Sequence, residues 1–248
     1  MLLTRTVITA ALIGALSLTG CQSTSSAKAD PDPRLTNDEF SVDYDSYVTS
    51  CVWGAAATGA ACLLLTDSDN RAICLAAAAA GCGIAMGGNA ILDNIRKQYH
   101  TKEEQLNALI ADLSDNRQKA VSMVAAANQV YADDKNKLAK LEKQIKQNQA
   151  NKQEAKMLLA QYDANIKVLK SNYEYYQKSL TSYKEARKGL VESNYFTNQE
   201  KAQIAKLDKQ IKQLERTIDA LSDSVQSYTA DRNVLNLQIE KMDQIAAA

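Results

Sequence analysis

From Leu106 to Leu190 a seam of positions alternately three and four residues apart runs through Leu106, Ile110, Leu113, Leu138, Leu141 and Ile145 and on to Tyr162, Ile166, Leu169, Leu180 and Tyr183. One heptad register persists over twelve repeats, the signature of a helix that buries one stripe against a partner. A second register, Ile204, Leu207, Ile211, Leu214, Ile218, Leu221 and on to Met242, is out of phase with the first. The helix must therefore break between them. Val191 to Phe196 lacks the pattern, and Thr197-Asn198-Gln199-Glu200 has the spacing of a capping box that starts a new helix.

Two long helices joined by a turn near 192–197 predict an antiparallel coiled-coil hairpin. Matching a to d positions gives partners whose numbers total 387: Leu180–Leu207, Tyr173–Leu214, Ile166–Leu221 and Tyr162–Val225, with Arg187 beside Glu200. A parallel homodimer competes, because Ile at a with Leu at d suits two parallel strands. The polar stretch Gln144 to Lys152 places Asn148 and Lys152 in the seam and reads as a kink or a second turn; the pattern does not choose. Unbroken, a helix from Thr101 to Glu192 would reach about 140 Å at 1.5 Å per residue. Composition agrees with helix: beyond Thr101 there is no proline, and Gly189 is the sole glycine.

Residues 41–100 differ. Cys51 to Leu65 (CVWGAAATGAACLLL) and Ala72 to Gly88 (AICLAAAAAGCGIAMGG) are small-residue apolar runs flanking the polar turn Thr66 to Arg71. Alanine favours helix, and small faces let backbones approach, so an antiparallel helical hairpin is expected. Within one helix Cys51 and Cys62 would stand about 16 Å apart, and Cys74 and Cys82 about 12 Å, too far for a disulfide. Bonds must cross between helices, favouring Cys62–Cys74 inside Cys51–Cys82. Such staples would reinforce faces that bury little apolar area. The segment loosely resembles the glycine-zipper segments of envelope lipoproteins, with Gly83-Ile84-Ala85-Met86-Gly87 as its GxxxG match. Ala72 to Gly88 also reaches the lower length limit for a membrane span, so an inserted hairpin is the rival.

The N-terminus sets the compartment. Arg5 precedes an apolar run from Val7 to Leu18, too short to span a bilayer, and Leu18-Thr19-Gly20-Cys21 closes it. This resembles the lipobox of bacterial lipoproteins, which implies cleavage of residues 1–20 and acylation of Cys21 by about three chains, a stable anchor. By the same resemblance Gln22, in place of aspartate, points to the outer membrane. With Cys21 given to lipid, Cys51, Cys62, Cys74 and Cys82 form an even set for an oxidising space. Ser23 to Asp38 carries both prolines and little apolar content, so residues 21–40 are expected to be a flexible tether.

Chemical motifs are absent: no GxSxG, P-loop, HExxH, GxGxxG or CxxC occurs, and His100 is the one histidine. No catalytic residue, metal ligand or cofactor is therefore assigned beyond the lipid on Cys21. Tyr131, Tyr162, Tyr173, Tyr176, Tyr183 and Tyr228 fall on seam positions and are read as core rather than as a binding surface. The charges balance, 29 basic against 29 acidic residues, which gives no footprint for nucleic acid. The expected molecule is all-α and non-enzymatic: an outer-membrane lipoprotein with a stapled hairpin and a coiled-coil rod at 101–248 that spaces, scaffolds or assembles envelope partners or copies of itself. The alternative is a transport or secretion component whose Ala/Gly hairpins oligomerise in a bilayer.

Overall fold

The computed structural model describes residues 28–37, 39–40, 88–147, 151–192 and 195–246. Among them every regular element is helical: α1 (Gly88–Gln98), α2 (Lys102–Lys146), α3 (Lys152–Leu190) and α4 (Asn198–Ala246). The four cysteines of the expected stapled hairpin, and Cys21, lie outside the described residues.

Helix boundaries follow from local chemistry. Thr101 caps α2 in a full capping box: its hydroxyl accepts from the Glu104 amide at 3.2 Å, and the Glu104 carboxylate accepts from the Thr101 amide at 3.0 Å. The same arrangement opens α4, with Thr197 and Glu200 exchanging bonds of 3.1 and 2.7 Å. At α3 the Asn151 side chain accepts from the Gln153 amide at 2.8 Å, satisfying a donor that the helix leaves orphaned.

The polar stretch left open between kink and turn is a turn. α2 closes at Lys146 with Gln147 as its cap, and α3 returns alongside it. Tyr183 bonds Asp112, Tyr175 bonds Asn116 and Asn165 bonds Asp134, so residue numbers rise on one helix as they fall on the other. α4 then lies parallel to α2: Gln203–Asn107, Ser224–Asn128 and Gln238–Glu142 are each separated by 96 positions. The expected two-helix hairpin with a 140 Å arm is instead an up-down-up bundle of three helices. Helices of 45, 39 and 49 residues make it about 70 Å long.

The pairing of α3 with α4 is antiparallel, but its register differs from the expected total of 387. Arg187–Asp208, Asp163–Arg232 and Lys152–Asp243 each total 395. Arg187 meets Asp208 rather than Glu200, and the Tyr162 ring meets Tyr228 rather than Val225. The shift is about one heptad, and its cause lies in α2. The first turns of α4 overshoot the end of α3 and align with the start of α2, where Gln203 reaches Asn107. A register drawn between two helices had no term for the third.

The third helix also widens the core. In α4 the expected stripe is buried at Leu207, Ile211, Leu214, Ile218, Leu221, Tyr228, Leu235 and Ile239. In α2 most of the expected seam is buried, at Leu106, Ile110, Leu113, Ala120, Ala127, Asp134, Leu138 and Leu141, and Leu109, Asn116, Met123 and Val130 are buried beside it, while Arg117, Val124 and Tyr131 move to the flank. A helix facing two neighbours buries more than a strict a/d stripe, and the added positions lie one residue before the expected ones.

α1 packs mainly on the last turns of α3. Gly189 is what permits it: a methyl there would collide with Leu92 Cδ2, and the Arg96 guanidinium caps the Gly189 carbonyl at 3.0 Å.

Candidate docking groove

The open side of the bundle, between α2 and α3, is occupied by the chain's own N-terminal segment. Residues 30–37 and 39–40, expected to be part of a flexible tether, form a strap whose Leu35 side chain is fully buried. Pro31 and Pro33 restrict the backbone, and Asp32 organises a turn in which the Leu35 amide donates to the Asp32 carbonyl at 2.9 Å. Polar composition alone suggested a tether; one buried leucine and a set of backbone contacts hold the strap down.

Side chains of α3 read the strap's backbone at three points. Gln161 Nε2 donates to the Asp30 carbonyl at 3.0 Å, Asn165 Oδ1 accepts from the Asp32 amide at 2.8 Å, and the Tyr176 hydroxyl donates to the Phe40 carbonyl at 2.9 Å. The strap thus runs in the same direction as α3. On its other edge Arg34 forms a fork with Asp32 (2.9 Å) and reaches Asp133 of α2 at 2.8 Å. That guanidinium holds the Asp32 carboxyl below the usual carboxylate range, against an opposing contribution from burial.

Beneath the strap all three long helices meet at Asp134, which is 1% exposed. Its Oδ2 accepts from Asn165 Nδ2 at 2.8 Å and from the Tyr228 hydroxyl at 3.3 Å, and its Oδ1 accepts from Lys137 Nζ at 2.8 Å. Asn165 is therefore a bridge, donating inward to the carboxylate and accepting outward from the strap. A buried carboxylate needs such partners, and these supply them. The rings of Tyr131 and Tyr162 stand 5.0 and 5.5 Å from Tyr228 in tilted and edge-on contact. Burial first, and the charge of Asp134 second, raise the Tyr228 hydroxyl far above its ordinary value, so it stays protonated as a donor. The Tyr162 hydroxyl is raised by the same desolvation and has no hydrogen-bond partner among the described residues.

A second concavity lies between α1 and α2, about 190 Å³ and lined by Ile91, Asn94, Ile95, Tyr99, Ala108 and Asp112. The Tyr183 hydroxyl donates to Asp112 Oδ2 at 2.7 Å, and burial pushes the Asp112 carboxyl above its usual range. Tyr175 behind it is pushed up to about 12, again chiefly by burial.

Of the expected site residues, Cys21, Cys51, Cys62, Cys74 and Cys82 fall outside the described residues. His100 is exposed between α1 and α2. Of the seam tyrosines, Tyr162, Tyr176, Tyr183 and Tyr228 are fully buried, while Tyr131 and Tyr173 are partly so. Three of the four buried rings also carry a hydroxyl bond, to Phe40, Asp112 or Asp134. Sequence reasoning missed Leu35, Gln161 and Asn165 altogether. A signal existed: Asn165, Asn172 and Ser179 recur every seven residues beside the seam, and all three are buried. Polar residues at heptad spacing mark a face that meets something other than an apolar helix.

Among the described residues no group of acidic, histidine or cysteine side chains is arranged to hold a metal, and no helix is long and apolar enough to cross a membrane. Comparison with protein families, with curated proteins and with solved structures finds no match. What the groove can do chemically is hold a turned peptide segment: it offers donors and acceptors to a backbone, a pocket for one aliphatic side chain and a carboxylate for one guanidinium.

Proposed function

We propose that the chain is a non-enzymatic lipoprotein of the bacterial outer membrane, anchored through acyl groups on Cys21, with its helical bundle as a spacer or scaffold for envelope partners or for further copies of itself. The observation that carries this reading is the order Arg5, apolar Val7 to Leu18, then Leu18-Thr19-Gly20-Cys21. The bundle supports it in form, because a rod of about 70 Å placed on a short leash projects a surface away from its anchor. In this reading Cys62–Cys74 and Cys51–Cys82 staple the Ala/Gly-rich segment in the oxidising envelope, and the bundle packs in the manner of a coiled coil.

Mass spectrometry of the mature protein tests the anchor. A blocked, acylated N-terminus at Cys21 is the expected result, and Cys21→Ala should leave a precursor about 2 kDa heavier, from a signal segment of roughly twenty residues. An unblocked and unlipidated mature N-terminus would overturn the reading. The uninterrupted small apolar run Ala72 to Gly88 favours a second reading, a membrane-inserted transport component. The two separate on extraction of a chain whose residues 1–21 are exchanged for a signal segment cleaved without acylation: it leaves the membrane in the first case and stays in the second.

A further inference from the structure

We propose that the groove between α2 and α3 is a peptide-docking site whose resident ligand is the chain's own residues 30–40, and that this strap is a releasable latch rather than a fixed part of the core. The strap meets the bundle as a bound peptide meets its receptor. Backbone groups at Asp30, Asp32 and Phe40 are read by Gln161, Asn165 and Tyr176, one aliphatic side chain, Leu35, is buried, and one guanidinium, Arg34, finds the Asp133 carboxylate. Each contact is noncovalent, to α3 on one edge of the segment and to α2 on the other. The residues that receive it sit on two helices that α4 already holds together from the other side through Leu207, Ile211, Leu214 and Ile218. Losing the strap therefore need not cost the bundle its main core.

A consequence follows for reach, and it rests on the anchor reading above. With the strap docked, nine residue steps lead from Cys21 to Asp30, a span of at most about 30 Å. With the strap released, the leash includes at least the chain to Phe40, and its limit rises to at least about 65 Å. Docking would then set how far the rod stands from its membrane.

The docking itself is tested without any membrane. A fluorescently labelled synthetic peptide of residues 28–40 is titrated against the full chain and against its Leu35→Asp variant, with anisotropy as the readout. The variant strap, carrying a charge that its pocket cannot solvate, leaves the groove vacant, so the variant should bind the peptide at least tenfold more tightly than the wild type, whose groove is filled. A peptide carrying Leu35→Asp should bind neither. Equal affinity for the two chains, or no binding to a Leu35→Asp chain of wild-type helicity, would overturn the proposal. Should that variant lose its helical circular dichroism, Leu35→Ala decides by the same comparison, with a smaller preference expected and none overturning it. The acyl state of Cys21 enters neither titration, so failure of the latch and failure of the anchor reading are scored separately.

Discussion

The two sides of α3 obey different rules. Toward α4 the bundle is built from interlocking aliphatic side chains with ion pairs along the rim, Lys184–Glu215 and Arg187–Asp208 among them. Toward the strap, the same helix presents Gln161, Asn165 and Tyr176, and the buried Asn165 is satisfied by a carboxylate on one side and a peptide amide on the other. The apolar side is nondirectional and tolerates sliding by a heptad. The polar side is directional: a donor out of place leaves a buried group unpaired, so it specifies one register and one ligand. Stability resides in the first side and selectivity in the second.

The largest effect should come from breaking the apolar side. Leu214 is fully buried, and Leu214→Ala removes its packing and leaves a cavity, at an expected cost of about 2–5 kcal/mol. Chemical denaturation followed by circular dichroism should show one cooperative transition moved to lower denaturant, with the strap lost only as the helices melt. A strap released well before the helices in this variant would mean that α4 does not hold the groove together.

The polar side should fail more mildly and more locally. Asn165→Ala strands the Asp32 amide and leaves Asp134 Oδ2 with the Tyr228 hydroxyl as its remaining donor, a loss of about 1–3 kcal/mol. Because one of those partners is the strap, the expected signature is tryptic cleavage after Arg34 under conditions where the wild type resists and helicity is unchanged. Equal resistance would place the strap's affinity in Leu35 alone.

How much of this was legible depended on which side was being read. Heptad periodicity exposed α3 and α4, because aliphatic spacing is a local property, and the capping pair Thr197–Glu200 located the start of α4 within a residue. It did not show that Asn148 and Lys152 flank a reversal, because polar residues in a seam suit a kink, a turn or a specificity point equally well. Nor did it show the third helix, whose presence moves part of the α2 stripe by one residue, from Arg117, Val124 and Tyr131 to Asn116, Met123 and Val130. The strap was the least legible element. Its described residues bury one leucine, a signal that composition averages away, and its partners are polar side chains more than a hundred positions along the chain.

A third test sharpens the contrast at the end of α3, where α1 docks. Gly189 lies inside a helix, where alanine is favoured by about 1 kcal/mol, yet a methyl there meets Leu92. Gly189→Ala alone should therefore gain little or nothing. Adding Leu92→Ala removes the obstruction while sacrificing the packing of one buried leucine. A double-mutant cycle on thermal midpoints should show the two changes to be non-additive, with each less harmful in the presence of the other. Strict additivity would mean that Gly189 is not chosen for the approach of α1.

The smallest effect should come from Asp112, where the two rules meet: an ionisable group that takes a directional bond from Tyr183 in a largely apolar recess. Burial raises its pKa above the ordinary carboxylate value, with Asp115 adding to the shift while the Tyr183 bond and Lys119 oppose it. A raised folded-state pKa means that the folded chain holds the proton more tightly than the unfolded chain does. The associated stability is full below the unfolded pKa of about 4 and is lost as pH rises through the higher folded value. Near neutral pH the wild type therefore carries a buried charge that Asp112→Asn would not, while the amide oxygen still accepts the Tyr183 hydroxyl. The variant should melt slightly higher than the wild type at pH 7, by a fraction of a kcal/mol, and this advantage should vanish as the pH is taken below about 4, where Asp112 is neutral in both states. A difference that stays constant across that range would show that the charge of Asp112 is not what the recess opposes, and that its hydrogen bond to Tyr183 sets the local stability instead.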